Sequence, residues 1–119
     1  MGPRKKVMIV EDDPLLAVVE QKMVERLGYE VIGKAASGEE ALKKIQDLNP
    51  EILLIDVQLA GQLNGIQTVK MIRENYMDIP VIFLSGDRSP SILKDAQGTD
   101  YVEFLLKPIT VQELSIPLN

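Results

Sequence analysis

VMIVEDDP, residues 7–14, places three consecutive acids and a proline directly after four apolar residues. A short, β-branched run without polar alternation predicts a strand that is buried on both faces. Proline favours the first position of a helix and Asp13 is a suitable N-cap, so a helix should begin at Pro14. The stretch therefore predicts a strand, an acidic turn and a helix in succession. Capping accounts for Asp13 and leaves Glu11 and Asp12 as candidates for function.

The same kind of apolar run recurs along the chain and predicts further buried strands. Three runs resemble the first, namely ILLI (52–55), VIFL (81–84) and FLL (104–106), and a weaker one is EVIGKA (30–35). Helical periodicity follows each strand, and such alternation specifies an α/β fold with a parallel sheet and helices on both faces. We expect residues 1–119 to form a single domain, which can be part of a longer protein.

Capping signals delimit the predicted helices. Ser37 with Glu40, and Thr110 with Glu113, have the spacing of capping boxes. Proline cannot continue the backbone hydrogen bonds of a helix, so Pro117 should cut the last helix short. The first helix carries an apolar face made of Leu16, Val19, Met23 and Leu27.

Composition excludes several classes of function. The formal net charge of −5 opposes direct binding to nucleic acid, since that partner is a polyanion. Cysteine and histidine are absent, which excludes a disulfide framework, thiolate metal ligands and an imidazole base. No apolar stretch has the length of a membrane span or the pattern of a signal peptide, so we expect no membrane insertion and a cytoplasmic location.

Polar residues end four of the predicted strands. Glu11 and Asp12 follow the first strand, Asp56 the third, Ser85 the fourth and Lys107 the fifth. In open parallel sheets these ends lie at one edge, where ligands bind. Asp56 ends the most apolar strand, where an unpaired charge would be costly, so we expect it to serve a function. Carboxylates with a lysine and a hydroxyl form a hard-oxygen site suited to Mg²⁺ and a phosphoryl group.

These motifs together resemble a two-component response-regulator receiver domain. The resemblance rests on VEDDP (10–14), LLIDVQLAGQLNG (53–65), FLSG (83–86) and FLLKP (104–108), and it covers nearly the whole chain. It implies the flavodoxin-like strand order 2-1-3-4-5. The loop that follows Asp56 is one residue longer than is usual in the family.

The resemblance also implies roles for the acidic residues and the lysine. Asp56 would be the phosphoacceptor and Lys107 the residue that pairs with the phosphate. Glu11, Asp12 and Asp56, with the backbone carbonyl of Gln58, would bind Mg²⁺ or Mn²⁺. The peptide bond between Lys107 and the following proline is expected to be cis.

Further residues match positions that transmit or tune the signal in this family. Ser85 and Phe104 would be switch residues that respond to phosphorylation, and Phe104 can already be turned inward without it. Gln58 and Asp87 would tune the lifetime of the phosphoryl group. The face formed by the fourth helix, the fifth strand and the fifth helix would then change, and it is implied as the surface of a homodimer.

The function implied is that of a signalling receiver in a two-component phosphorelay. Its partners would be a sensor histidine kinase or histidine phosphotransfer domain and a downstream effector. Such a domain is not an enzyme in the ordinary sense, although it assists its own phosphoryl transfer and autodephosphorylation.

Three other functions are weighed against it. A pseudo-receiver that only binds partners would not need the full set of acids, hydroxyl and lysine. A haloacid-dehalogenase phosphohydrolase needs a second acid two residues after its nucleophile, where this chain has Gln58. A flavodoxin-like nucleotide binder needs a glycine-rich first turn, and here that turn is acidic.

Overall fold

The computed structural model describes residues 5–75 and 77–118. Five strands alternate with five helices in the order β1 (Lys6–Val10), α1 (Pro14–Arg26), β2 (Glu30–Ala35), α2 (Gly38–Leu48), β3 (Ile52–Asp56), α3 (Gly65–Glu74), β4 (Val81–Ser85), α4 (Pro90–Ala96), β5 (Glu103–Leu106) and α5 (Val111–Leu118). The strands form one parallel sheet in the order β2-β1-β3-β4-β5, which confirms the predicted fold class and topology. Within the described ranges, no helix combines the length and the hydrophobicity that crossing a bilayer requires.

Two hydrophobic cores cover the two faces of the sheet. One face packs against α2, α3 and α4, and its core includes Met8, Val10, Leu53, Ile55, Val81 and Phe83 from the strands. The other packs against α1 and α5, and its core includes Val7, Ile9, Ile52, Leu54, Ile82 and Leu84. Neighbouring residues along a strand point to opposite faces, so strands buried on both sides must be apolar throughout. This requirement explains why the strand runs showed no alternation.

Most of the helix boundaries agree with the capping signals. The Asp13 carboxylate accepts hydrogen bonds from the backbone N–H groups of Leu15 and Leu16, as an N-cap does. Thr110 and Glu113 form the complete predicted capping box. Pro117 does not end the last helix, since α5 continues to residue 118.

The second predicted capping box forms only in part. The Ser37 hydroxyl accepts the Glu40 N–H at 3.1 Å, as predicted. The Glu40 carboxylate instead accepts the N–H of Ala36 at 2.6 Å, one residue before the N-cap. Both bonds satisfy backbone N–H groups at the start of α2, so the helix begins where the sequence predicted.

The buried face of α1 matches the predicted one only in part, since Met23 and Leu27 pack against the core as expected. Ala17, Glu20 and Val24 are buried against the sheet, whereas Leu16 and Val19 are 37% and 39% exposed. All five residues from position 15 to 19 are apolar, so the helical period alone did not distinguish two adjacent faces. The packing therefore buries one carboxyl group and leaves an apolar strip on the surface.

Candidate functional site

Three carboxylates meet at the carboxyl edge of the sheet. Glu11, Asp12 and Asp56 each place one carboxylate oxygen within 4.8 Å of the others. Glu11 and Asp56 are only 3% exposed, and Asp12 is half-buried. Because β1 and β3 are neighbouring parallel strands, their ends bring these acids together. The predicted acidic cluster is therefore present.

Lys107 lies against two of these acids. Its Nζ atom is 2.7 Å from Oδ2 of Asp56 and 2.9 Å from Oε1 of Glu11. Its backbone N–H donates to the carbonyl of Ser85 at 2.8 Å, which ties the end of β5 to the end of β4. The peptide bond from Lys107 to Pro108 is cis, as predicted.

Burial and the shared lysine shift the pKa values of these groups. Burial raises the pKa of Asp56 to about 6, despite the opposing effect of the lysine. Burial also acts to raise the pKa of Glu11, but hydrogen bonds with the Glu20 carboxyl and the Lys107 amine outweigh it and the pKa is lowered. Hydrogen bonds to both acids raise the pKa of Lys107 against the effect of burial. The amine is thus charged and offsets one of three negative charges.

A fourth carboxyl group, that of Glu20, lies beneath the cluster and was not predicted. Burial, with the neighbouring Glu11 as the next cause, raises its pKa to about 9, so the group is protonated at neutral pH. Its Oε1 atom accepts no hydrogen bond from the described residues, and the protonated carboxyl is hydrogen-bonded to Glu11. The spacing of 3 and 4 residues between Ala17, Glu20 and Val24 was the signal that could have identified it.

The long loop between β3 and α3 is held by carboxylates from two other elements. Oδ2 of Asp12 accepts the N–H of Ala60 at 3.1 Å. Oε1 of Glu39, in α2, accepts the N–H groups of Gln62 and Leu63 at 3.2 and 2.8 Å. Hydrogen bonds from its own backbone N–H, and then from those of Leu63 and Gln62, lower the pKa of the Glu39 carboxyl. The loop is therefore anchored at Ala60, Gln62 and Leu63, which no local pattern had indicated.

Ser85 is connected to the acids through Gln58. The Ser85 hydroxyl is fully buried and lies 3.0 Å from Oε1 of Gln58 and 2.6 Å from the carbonyl of Asp87. The backbone N–H of Gln58 in turn donates to Oδ1 of Asp56 at 3.3 Å. The Asp87 carboxylate is directed away, toward the N–H of Ser89 at 2.8 Å. The hydroxyl is thus fully engaged at the end of the strand next to Asp56.

Phe104 is buried, with 2% of its surface exposed. Its ring centroid lies 5.9 Å from that of Phe83 and 6.1 Å from that of Tyr101, and the latter two rings are 5.6 Å apart. Such spacings are favourable for aromatic pairs. The ring is therefore already turned inward in this structure.

The donor set fits a hard divalent cation. The site combines three carboxylates with one ammonium group, that of Lys107, so it has a net negative charge. Mg²⁺ prefers carboxylate oxygens and water over nitrogen or sulfur. The acidic cluster is therefore capable of binding a metal ion.

Comparisons with known proteins agree on one family. A sequence model of the response regulator receiver domain matches residues 7–118. The probable C4-dicarboxylate response regulator DctR of Halalkalibacterium halodurans is 32% identical over 118 residues, which cover 98% of this chain and 51% of that protein. The chemotaxis protein CheY of Thermotoga maritima is 28% identical, with 97% of this chain and 95% of that protein covered.

Solved structures give the same result. The signal receiver domain of a modulated diguanylate cyclase from Desulfovibrio desulfuricans is 31% identical and superposes with a TM-score of 0.89, covering 98% of this chain and 91% of that one. The chain spans about half the length, or less, of several of the curated relatives that it matches.

Proposed function

The chain belongs to the family of response regulator receiver domains of two-component signalling, and we propose that it accepts a phosphoryl group on Asp56 from a histidine kinase or histidine phosphotransfer domain. The observation that carries the proposal is that Asp56, buried at the end of β3, lies within 4.8 Å of the acidic pair and forms an ion pair with the lysine. A buried carboxylate that is held by one amine is fixed in position and poorly hydrated, and both properties favour its reaction as a nucleophile.

The roles of the residues follow from their charges and positions. An oxygen of Asp56 forms a bond to phosphorus while the bond from phosphorus to the donor nitrogen breaks. Lys107, already 2.7 Å from that carboxylate, offsets the negative charge of the incoming oxygens. Glu11, Asp12, Asp56 and the carbonyl of Gln58 are proposed to hold Mg²⁺ or Mn²⁺. When bound, such a cation would neutralise further charge on the phosphoryl oxygens.

The exposed side of α1 is suited to a protein donor. Four apolar side chains of this helix are exposed by 37 to 72%, namely Leu15, Leu16, Val18 and Val19. The helix begins directly after Asp12 and Asp13, so an apolar contact there would bring a donor to the acidic cluster. Exposed apolar strips of this kind are characteristic of interaction sites.

Labelling with acetyl phosphate tests the assignment of the phosphoacceptor. Intact-mass measurement should show one added phosphoryl group in the presence of Mg²⁺ and none with EDTA. Asp56→Asn should abolish the addition, whereas Asp95→Asn, which removes an exposed carboxylate of α4, should leave it unchanged. Equal labelling of Asp56→Asn and the wild type would contradict the proposal.

We propose that the phosphorylated form is read through Ser85, Phe104 and the face of α4, β5 and α5. Val102, Leu106 and Ile116 are exposed apolar residues on this face, which supports its use as a contact surface, including that of a homodimer. A crystal structure with beryllofluoride, a mimic of the phosphoryl group, should show an altered rotamer of Ser85, with Phe104 kept in the inward position that it already occupies. An unchanged Ser85 rotamer, or a Phe104 ring turned outward, would mean that the signal leaves by another route.

The phosphohydrolase alternative is not favoured. That reaction requires an acid two residues after the nucleophile to protonate the leaving group. The corresponding residue is Gln58, and its amide oxygen is hydrogen-bonded to Ser85 and Gly86.

A further inference from the structure

Gln58 connects the proposed phosphoacceptor to the loop that follows β4. Its backbone N–H bonds Oδ1 of Asp56, and its side-chain Oε1 accepts the Ser85 hydroxyl at 3.0 Å and the Gly86 N–H at 3.2 Å. The Gly86 N–H can only donate, so it fixes which end of the amide points at the loop. One oxygen therefore receives two donors from the end of β4. We call this arrangement the Gln58 latch.

Each of these two groups can donate only one hydrogen bond. A hydroxyl and an N–H each carry a single proton, and the Ser85 hydroxyl also lies 2.6 Å from the Asp87 carbonyl. The same hydroxyl accepts the Asp87 N–H at 3.0 Å, and its single proton is shared between the Asp87 carbonyl and Oε1 of Gln58. A new acceptor can bind these donors only by displacing one of the present ones.

A phosphoryl group on Asp56 would be such an acceptor. Asp56 pairs with Leu84 across the parallel strands, so the residue after its pairing partner is Ser85, and Gln58 bonds both Asp56 and Ser85. A phosphoryl group added to Asp56 would extend from the end of β3, the side from which Oε1 of Gln58 already bonds the loop.

We propose that Gln58 is a positioning residue whose side chain competes with the phosphoryl group for the Ser85 hydroxyl and the Gly86 N–H, and so stabilises the unphosphorylated arrangement. The inference rests on the proposed phosphorylation of Asp56. It assigns to the side chain a role separate from that of the Gln58 backbone carbonyl, which is proposed to bind the cation. It is also separate from any effect of the side chain on water attack, because it acts on the equilibrium between the two arrangements.

Beryllofluoride binding measures this competition directly. Gln58→Met keeps the approximate length of the side chain and the backbone carbonyl but replaces the amide group by a thioether, whose sulfur is only a weak acceptor and takes the position of the amide carbon. The Gln58 side chain is exposed, so the variant should fold normally. Gln62→Met makes the same exchange at an exposed position of the same loop and is the control.

The affinity for beryllofluoride in saturating Mg²⁺ is followed by the amide signal of Gly86 in NMR spectra. We expect Gln58→Met to bind about fivefold more tightly than the wild type, which corresponds to the loss of one neutral hydrogen bond from the competing state. Gln62→Met should match the wild type. The Gly86 signal of Gln58→Met should also shift before beryllofluoride is added, because its N–H has lost its acceptor.

The other outcomes separate the latch from the proposed function. Equal affinities in all three proteins would overturn the latch and leave Asp56 as the phosphoacceptor. Tighter binding of Mg²⁺ alone by Gln58→Met would also overturn it, since the effect would then arise at the cation. No binding of beryllofluoride by the wild type would overturn the proposed function, and the latch with it.

Discussion

Replacing Glu20 by glutamine should make the stability of the domain less dependent on pH. The folded protein raises the pKa of this carboxyl from 4.5 to about 9. Between these values the folded state holds a proton that the unfolded state has released. The free energy of unfolding must therefore fall as the pH rises from 4.5 toward about 9, and below pH 4.5 the pH has no effect through this group. Glutamine has the shape of the protonated acid and does not titrate.

The size of the effect follows from proton linkage. One proton taken up on folding changes the free energy of unfolding by about 1.4 kcal/mol per pH unit. Between pH 6 and pH 8, Glu20→Gln should gain up to roughly 3 kcal/mol relative to the wild type. The neighbouring Glu11 carboxylate interacts with the same proton, so the titration of Glu20 is broadened. The relative gain in the free energy of unfolding stated above is therefore an upper bound.

Urea unfolding at pH 6, 7 and 8 with EDTA present is the appropriate assay, because EDTA keeps cations out of the neighbouring cluster. Glu25→Gln removes an exposed carboxylate from the same helix and should show the same pH dependence as the wild type. Parallel plots of stability against pH for Glu20→Gln and the wild type would show that Glu20 is ionised in the folded protein, and the reasoning would be wrong.

Three further predictions concern the site. Gly65→Ala would bring a Cβ atom into the carbonyl oxygen of Asp56 and should lower the free energy of unfolding by about 2 kcal/mol; an unchanged thermal midpoint would contradict it. Lys107→Met should slow labelling by acetyl phosphate about 100-fold, because a charged donor to the reacting group is lost, and a rate within twofold of the wild type would reject that role. Replacing Gln58 and Asp87 together by alanine should alter the decay rate of the phosphorylated protein; identical half-lives would remove both from the tuning positions.

Local sequence patterns predicted most of the fold. The β-branched runs gave the strands, and the start of α1 at Pro14 followed from Asp13 as its cap. The Asn49-Pro50 pair is a further local signal of this kind, since Asn49 adopts a left-handed conformation with φ of 48° at the end of α2. These signals act within a few residues, so tertiary packing had little opportunity to override them.

The acidic cluster was predictable for a different reason. The carboxyl ends of parallel strands meet at one edge, so Glu11, Asp56 and Lys107 could be brought together from topology alone. The burial of Glu20 and the anchoring of the loop by Glu39 could not be predicted from topology. The first depends on a small rotation of α1 about its axis, and the second on a contact between residues 23 and 24 positions apart in the sequence. The periodicity of a single segment contains neither kind of information.

The cluster of Phe83, Tyr101 and Phe104 also has a spectroscopic consequence. The chain has no tryptophan, so its ultraviolet emission and its near-ultraviolet circular dichroism come from tyrosine and phenylalanine alone. Both phenylalanines of the chain lie in this cluster with Tyr101, one of the three tyrosines. Rings held at fixed angles by their neighbours give dichroic bands that are sensitive to reorientation. Any movement of Phe104 should therefore be observable in the unlabelled protein, without the introduction of a fluorophore.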